Sequence, residues 1–165
     1  MNSTIPRRRS IRLPDYDYSS EGLYFVTICT NDRLCLFGEI VDSRMRLSDA
    51  GKIIDEVWST MFSFVEDSRT WIVMPNHFHG IIAIDDAQIG NGNGKPLGRL
   101  VGAFKTTTTR RVNEIRATPG AILWQRGFYE RIIRDERSFA NIVAYIEDNP
   151  SRWATDPENT DTCSS

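Results

Sequence analysis

The fold is decided by the stretch Trp71-Ile-Val-Met-Pro-Asn-His-Phe-His-Gly-Ile-Ile-Ala-Ile84, in which two apolar runs rich in β-branched residues flank Pro75-Asn76. Runs of this composition on either side of a short turn predict a β-hairpin whose second strand begins at His77. Apolar residues occur on both faces of this hairpin, whereas a sheet with one solvated face would alternate apolar and polar residues. We therefore expect a central pair of strands with helices covering much of both sides.

The hairpin contains both histidines of the chain. Side chains alternate along a strand, so His77 and His79 point to one face and Phe78 points to the other. With a two-residue turn, Met74 lies opposite His77 and Ile72 lies opposite His79. Two imidazoles on one face can hold one metal ion. The alternative is a pair that only packs and hydrogen-bonds, and the hairpin by itself does not decide between the two.

Length and composition limit the class of protein. A chain of 165 residues supports one domain with a substantial core. Its 40% hydrophobic and 25% charged residues are ordinary for a globular protein, and a net charge of −2 does not indicate a nucleic-acid-binding protein. No apolar run approaches the roughly 20 residues that span a bilayer, so we expect neither a membrane span nor a signal peptide. The three cysteines form no CxxC motif, which predicts reduced thiols and a cytoplasmic location.

The chain divides into three segments by composition. Residues 1–21 are interpreted as a basic N-terminal arm, residues 22–153 as a single domain, and residues 154–165 as a disordered acidic tail. Ser48 is the predicted N-cap of the first helix. Hydrophobic periodicity predicts strands over residues 22–30 and 123–133, a small hairpin over 36–47, helices over 49–64, 97–112 and 134–149, and a flexible loop over 85–96.

A second group of candidate site residues lies on the last predicted helix. Tyr145 and Asn149 are four residues apart and therefore share one helix face. A phenol can act as a nucleophile, and a carboxamide oxygen can act as a third metal ligand beside the two histidines. Together they suggest cleavage of DNA through a phosphotyrosine link. Tyr129 is a rival nucleophile, but it lies in strand-like sequence and has no amide partner at helical spacing.

Cationic residues that could contact a DNA backbone are unevenly distributed along the chain. One group lies in the N-terminal arm, and the others lie on the second helix and around the last strand. A merely solvated basic surface is the alternative for the arm and for the second helix. The candidates are Arg7, Arg8, Arg9, Arg12, Lys105, Arg110, Arg111, Arg126, Arg131 and Arg134.

Three motifs together form a specific signature: Met74-Pro-Asn-His-Phe-His-Gly80, Leu123-Trp-Gln-Arg-Gly-Phe-Tyr-Glu-Arg-Ile-Ile-Arg134 and Tyr145-Ile-Glu-Asp-Asn-Pro150. Their order and spacing resemble those of the REP-associated tyrosine transposases, a branch of the small HUH single-strand transposases. The resemblance extends from about Arg7 to Trp153, which is nearly the whole chain.

The resemblance implies an α+β fold, namely a ferredoxin-like (RRM-like) βαββαβ antiparallel sheet with helices on one face and an added C-terminal helix that carries the nucleophile. It implies that His77 and His79 bind Mg²⁺ or Mn²⁺ and that Asn149 completes the metal site. Tyr145 would attack the scissile phosphate of single-stranded DNA, leaving a 5′-phosphotyrosine and a 3′-hydroxyl. Family members recognise palindromic DNA hairpins, and both a monomer and a homodimer are compatible with the resemblance.

Two other functions are compatible with the same residues. One is a catalytically silent nucleic-acid-binding module of the same fold, whose arginines would give a strongly salt-dependent affinity. The other is a metal-dependent phosphodiesterase that acts through water. Loss of the Tyr145 hydroxyl would separate these functions from covalent strand cleavage, because only covalent cleavage requires that hydroxyl.

Overall fold

The computed structural model describes residues 22–62, 70–84, 97–160 and Cys163. The predicted N-terminal arm and the predicted loop over residues 85–96 lie outside this range. The elements are strands β1 (Gly22–Cys29), β2 (Gly38–Val41) and β3 (Arg44–Leu47), helix α1 (Asp49–Phe62), strands β4 (Trp71–Val73) and β5 (His77–Ile84), helix α2 (Leu97–Arg116), strand β6 (Tyr129–Ile133) and helix α3 (Glu136–Asp148). Two short 3₁₀ segments cover Asn31–Arg33 and Pro150–Thr155. No helix within the described ranges has the length and apolar character needed to cross a membrane.

The main sheet has the strand order β4-β5-β1-β6, and every neighbouring pair is antiparallel. The predicted register of the hairpin is confirmed, because Ile72 pairs with His79 and the Met74 amide donates to the His77 carbonyl at 2.8 Å. The expectation that both hairpin strands are central is wrong for β4, which lies at the edge of the sheet. Strand β4 has only three residues, and a short edge strand exposes few unpaired backbone groups.

The two faces of the sheet have different cores. On one face, Phe78 and Val26 pack with Trp58 of α1 and Phe104 of α2 in the larger hydrophobic cluster. On the other face, a smaller cluster joins the sheet to α3; its buried members are Phe25, Ile81, Ile133, Ile142 and Ile146. The predicted α+β class and the antiparallel sheet with helices are therefore confirmed. Helix α3 lies on the face of the sheet that carries the histidines.

Gly80 allows the sheet and α1 to approach closely. A Cβ atom at this position would lie 2.3 Å from the Trp58 ring and 2.8 Å from the Phe78 ring. The Trp58 and Phe78 ring centroids are 4.4 Å apart, and both side chains are fully buried. A glycine in the middle of a strand is therefore explained here by packing.

Local sequence signals set several element boundaries. Ser48 caps α1 as predicted, since its Oγ accepts from the Gly51 amide at 3.1 Å. The small hairpin turns at Asp42 and Ser43, both of which have positive φ (49° and 60°), as a type I′ turn requires. Asp135 caps α3 by accepting from the Ser138 amide at 2.7 Å.

The strand predicted over residues 123–133 is present only from Tyr129 to Ile133. The residues before Tyr129 form only an isolated β-bridge, between Trp124 and Thr30, and are not part of a strand. Lys105 of α2 holds this segment instead, because its ammonium donates to the carbonyls of Gln125 and Gly127. Gly127 has φ of 86°, which is incompatible with a regular strand.

The C-terminal segment also differs from the prediction. Within the predicted disordered tail over residues 154–165, Glu158 is only 8% exposed and Asp156, Asn159 and Thr160 are partly buried, whereas Ala154, Thr155 and Pro157 are exposed. The Arg33 guanidinium binds the Glu158 carboxylate at 2.7 Å, and this partly buried ion pair holds a segment that has few apolar residues. Cys35 and Cys163 form a disulfide, so the expectation of reduced thiols is wrong for this pair, and Cys29 is not part of it.

Candidate active site

His77 and His79 meet at their Nε2 atoms, which are 3.1 Å apart. Both residues lie on β5 and point to the same face of the sheet, and both are buried, with exposed fractions of 0% and 3%. The ring of Trp153 covers His77 from the C-terminal side at a centroid distance of 5.9 Å. The two imidazoles therefore converge on one point that is largely shielded from solvent.

The orientation of the His77 ring is fixed by Asn76. The Asn76 amide nitrogen faces the backbone carbonyls of Glu158 and Arg33 at 2.6 and 3.3 Å, so its oxygen must point the other way. That oxygen lies 2.9 Å from His77 Nδ1 and can only accept. His77 Nδ1 therefore carries a proton, and in the neutral ring Nε2 keeps a free lone pair.

The His79 ring is held by a hydroxyl. Thr27 of β1 pairs with His79 in the sheet, and its Oγ1 lies 2.8 Å from His79 Nδ1. A hydroxyl can either donate or accept, so it accommodates both neutral forms of the ring. Phe25 stacks on the same ring at a centroid distance of 5.4 Å. An imidazole whose second nitrogen is hydrogen-bonded in this way is typical of metal ligands.

Both imidazoles are neutral at pH 7. Burial lowers the pKa of His77 to about 4, although the Asp156 carboxylate and the Asn149 side chain partly offset this effect. Burial also lowers the pKa of His79 well below 6.5, and a positive charge on His77 would lower it further. Neutral rings are the form that binds metal ions.

Helix α3 places Tyr145 and Asn149 against the histidines. The Tyr145 ring lies edge-on to His79 with a centroid distance of 5.3 Å, and edge-on to Phe25 at 6.1 Å. Asn149 is the C-cap of α3 and is 98% buried (2% exposed). The buried Ile142 and Ile146 anchor the helix on the sheet, which fixes the position of both polar residues.

Asn149 provides a test of whether a metal ion fits this site. Its Oδ1 atom is buried and has no hydrogen-bond partner among the described residues, which normally costs about 1–3 kcal/mol. Its Nδ2 atom makes a long contact of 3.5 Å with the Tyr145 carbonyl. No group of three His, Cys, Asp or Glu side chains within the described ranges is arranged to hold a metal ion. Two neutral imidazoles and one unsatisfied carboxamide oxygen nevertheless form a chemically reasonable donor set, and the nitrogen donors favour a transition ion such as Mn²⁺ over Mg²⁺.

Tyr145 is a neutral phenol at pH 7, half-buried and 41% exposed. Burial raises the pKa of Tyr145 above 10, and the carboxylates of Asp156 and Glu158 raise it further, while the Asn149 side chain lowers it. The C-terminal segment thus brings negative charge close to the phenol. A nucleophilic role therefore requires removal of the phenolic proton during the reaction.

The predicted DNA-contacting cations are not brought together. Lys105, Arg110 and Arg111 lie on α2, which packs on the opposite face of the sheet from the histidines. Lys105 is engaged with the Gln125 and Gly127 carbonyls, and Arg111 pairs with Glu56 of α1 at 3.0 Å. Among these candidates, the cavity beside Tyr145 is lined only by Arg131. Arg126 and Arg134 are exposed outside that lining, and Arg7, Arg8, Arg9 and Arg12 lie outside the described residues.

Three residues of the site were not identified from the sequence. Thr27 contacts His79 only because of the pairing register between β1 and β5, which a single strand pattern does not reveal. Asn76 was assigned to the turn, although its position directly before His77 was a usable signal. Asp156 lies in the segment that was expected to be disordered.

Comparison with known proteins places these residues in a family. No family model matches the chain. An uncharacterised protein of Haemophilus influenzae is 38% identical over 175 aligned residues, covering 94% of each chain. A second H. influenzae protein, provisionally named as a REP-associated tyrosine transposase, is 26% identical over 143 residues, covering 81% of this chain and 73% of its own length.

The fold also matches a solved structure. A REP-associated tyrosine transposase bound to a REP hairpin superposes with a TM-score of 0.57 at 19% identity, over 86% of this chain and 73% of that protein. At this identity the match establishes the fold, and the sequence relatives and the three motifs establish the kinship. The chain therefore belongs to the transposase-like family of the REP-associated tyrosine transposases.

Proposed function

We propose that this protein is a metal-dependent endonuclease and strand transferase that acts on single-stranded hairpin DNA through a 5′-phosphotyrosine intermediate. The observation that carries the proposal is the convergence of four groups: two Nε2 atoms 3.1 Å apart, the Asn149 oxygen, which has no partner among the residues that the structure describes, and the Tyr145 phenol beside His79. A structural role for the histidines would explain their burial. It would not explain why the buried Asn149 oxygen lacks a partner among the described residues, or why the half-exposed Tyr145 phenol lies beside the same histidines.

The chemical step follows from the groups present. The Tyr145 oxygen forms a bond to the scissile phosphorus, and the bond from phosphorus to the 3′ oxygen breaks. The phenol loses its proton and the 3′ oxygen gains one, so the upstream fragment leaves with a 3′-hydroxyl and the downstream fragment stays bound to the enzyme through its 5′-phosphate. His77, His79 and Asn149 would hold Mn²⁺ or Mg²⁺, which supplies Lewis-acid stabilisation of charge on the phosphate. Because all atoms are retained, the same step in reverse joins strands.

The relatives support the choice of substrate. One protein with this fold binds a REP hairpin, and a related chain carries the transposase name. The element order β1-α1-β4-β5-α2-β6 with this strand order supports a ferredoxin-like arrangement, in which α1 and α2 pack on one face of the sheet and the histidines lie on the other. On that basis we propose that this chain also acts on hairpin DNA. The proposal includes a cytoplasmic location and DNA contacts by the predicted arginines. Monomer and homodimer both remain compatible with the proposal.

The test is covalent capture. The full-length protein is incubated with a single-stranded hairpin oligonucleotide carrying unpaired flanks, in the presence of Mn²⁺, and the products are separated under denaturing conditions. We expect an adduct whose mass equals protein plus the 5′-phosphorylated fragment, and peptide mapping should place it on Tyr145. Tyr145→Phe should abolish the adduct, whereas the matched control Tyr129→Phe should retain it.

Three results would contradict the proposal. An adduct that persists in Tyr145→Phe would assign the nucleophile to another residue, with Tyr129 as the first candidate. Hairpin binding without any adduct, under every divalent ion tested, would identify a catalytically silent binding module. Cleavage that leaves no adduct and that persists in Tyr145→Phe would indicate hydrolysis by water.

A further inference from the structure

A cavity opens beside Tyr145 and His79. Its volume is about 450 Å³, and its lining residues come from the sheet, from α3 and from the C-terminal segment. His79 and Tyr145 line it, whereas His77 and Asn149 do not contribute to its lining. The chemistry proposed above uses only His79 and Tyr145 of this lining. The other lining residues are not among the reacting groups.

Helix α3 carries a polar stripe along this cavity. Asn141, Tyr145 and Asn149 follow one another at intervals of four residues, so they lie on one helix face about one turn, or 5.4 Å, apart. Asn149 is at the histidine end and Tyr145 is in the middle. Asn141 therefore lies one turn beyond the phenol.

The residues around Asn141 have the chemistry of a nucleotide site. Tyr129 is 47% exposed although it is aromatic and lines the cavity, and exposed rings stack on bases. Neither the Asn141 side chain nor the Arg131 side chain has a hydrogen bond or an ion pair with any residue in the described part of the chain, so both side chains are available to a ligand. A carboxamide offers one donor and one acceptor side by side, which complements the edge of adenine.

Part of the cavity wall is acidic. Asp156 and Glu158 line it, and the Glu158 carboxylate is paired with Arg33 at 2.7 Å. One Asp156 oxygen accepts from the Glu158 amide at 2.7 Å, which leaves the other oxygen as an acceptor. Such a wall favours a base with an exocyclic amine and disfavours one that presents only carbonyl oxygens, such as thymine.

We propose that this cavity binds an adenine of the DNA strand beside the scissile phosphate. Asn141 reads the base edge, Tyr129 stacks on the base, and Arg131 contacts a flanking phosphate. The site deepens the proposed function, because it assigns base specificity to residues outside the reacting groups. Its readout is nevertheless equilibrium binding, which does not depend on cleavage.

The experiment uses the wild-type protein in a chelating buffer, where no cleavage occurs. Fluorescent hexamers of oligo(dA), oligo(dC) and oligo(dT) are titrated by anisotropy at fixed salt. We expect oligo(dA) to bind at least about tenfold more tightly than oligo(dT). Asn141→Ala should bring this ratio close to one, and Tyr129→Leu should weaken binding of all three probes by about fivefold or more. Glu147→Ala, an exposed change on the same helix outside the cavity, should leave the ratio unchanged.

Several results would overturn the assignment. These are equal binding of the three probes, a preference for oligo(dC) or oligo(dT), or a preference that survives Asn141→Ala. Circular dichroism of each variant confirms that the fold is intact. If covalent capture succeeds while the binding ratio is one, the adenine site is wrong and the proposed reaction stands. If the binding ratio depends on Asn141 while no adduct forms, the adenine site stands and the proposed reaction is wrong.

Discussion

Thr27 and His79 face each other across β1 and β5, and the Thr27 hydroxyl lies 2.8 Å from the Nδ1 atom of His79. The other nitrogen of the ring faces His77 Nε2, which bears no proton because Asn76 holds the proton on Nδ1. In the neutral pair without a ligand, His79 Nε2–H donates to His77 and the Thr27 hydroxyl donates to Nδ1. When both Nε2 atoms bind one ion, the proton of His79 must move to Nδ1 and Thr27 must accept.

This relationship predicts a role for the Thr27 hydroxyl in metal affinity. Thr27→Val retains the shape of the side chain but cannot stabilise the ligating form of His79, so we expect Mn²⁺ binding to weaken by about 10-fold or more. Thr27→Ser keeps a hydroxyl and should stay close to wild type. Calorimetric titration with Mn²⁺ measures the effect, and equal affinity in the valine and serine variants would refute it.

The histidine pair predicts a loss of stability in mild acid. The pKa of His77 is about 4 in the folded protein and about 6.5 in the unfolded chain, so the unfolded state binds more protons between these values. Stability that is present at pH 7 is therefore lost as the pH falls, by about 2 kcal/mol for His77 alone at pH 5. Urea unfolding at both pH values should give this difference. The double variant His77→Gln/His79→Gln should lose less stability than the wild type between pH 7 and pH 5. An equal loss in the two proteins would exclude the histidine pair as the cause.

The contact between Gly80 and Trp58 predicts intolerance of a single methyl group. Gly80→Ala places its Cβ 2.3 Å from the Trp58 ring, so the core must shift, and we expect destabilisation by about 1–3 kcal/mol. Gly102→Ala on α2 is the matched control, because a Cβ there meets nothing within 4 Å. That variant should be stabilised by about 0.5–1 kcal/mol. Urea unfolding distinguishes the two, and equal stability would contradict the packing argument.

The smaller cluster predicts that α3 opens more readily than α1. Ile146 is fully buried between α3 and the sheet, and Ile146→Ala should cost about 2–4 kcal/mol. Hydrogen exchange of α3 amides should rise in this variant, while exchange of α1 amides changes less because α1 packs in the larger cluster. Val143→Ala, which is only partly buried, is the milder control. Uniform acceleration in both helices would mean that the domain opens as one unit.

The sequence predicted the elements whose signal is local. Apolar runs around Pro75-Asn76 indicated the hairpin and its register, and Ser48 indicated the start of α1. The residue pattern around Tyr129 predicted a strand that begins too early. The segment before Tyr129 is hydrogen-bonded by a lysine of α2 and not by a neighbouring strand. Composition alone does not distinguish these two kinds of contact.

Contacts that depend on distant residues could not be predicted. The acidic C-terminal segment reads as disordered by composition, yet Arg33 and the Asn76 amide bind it from positions more than a hundred and about eighty residues away. The Thr27 contact required the order of the strands, which no single segment encodes. Tyr145 and Asn149 could be named as candidates because their spacing is helical and local, whereas their proximity to the histidines depends on how α3 docks.

Strand β5 divides its side chains between two incompatible environments. Phe78 enters the larger core, and the residues on either side of it are the imidazoles. Inserting or deleting one residue in this strand would turn the imidazoles toward the larger hydrophobic cluster and the phenylalanine ring toward the cavity. Inserting two residues would restore the alternation but displace the histidines by about 6.8 Å along the strand, away from Thr27 and Tyr145. The length of this hairpin is consequently under as much constraint as its composition, and homologues should vary in length elsewhere.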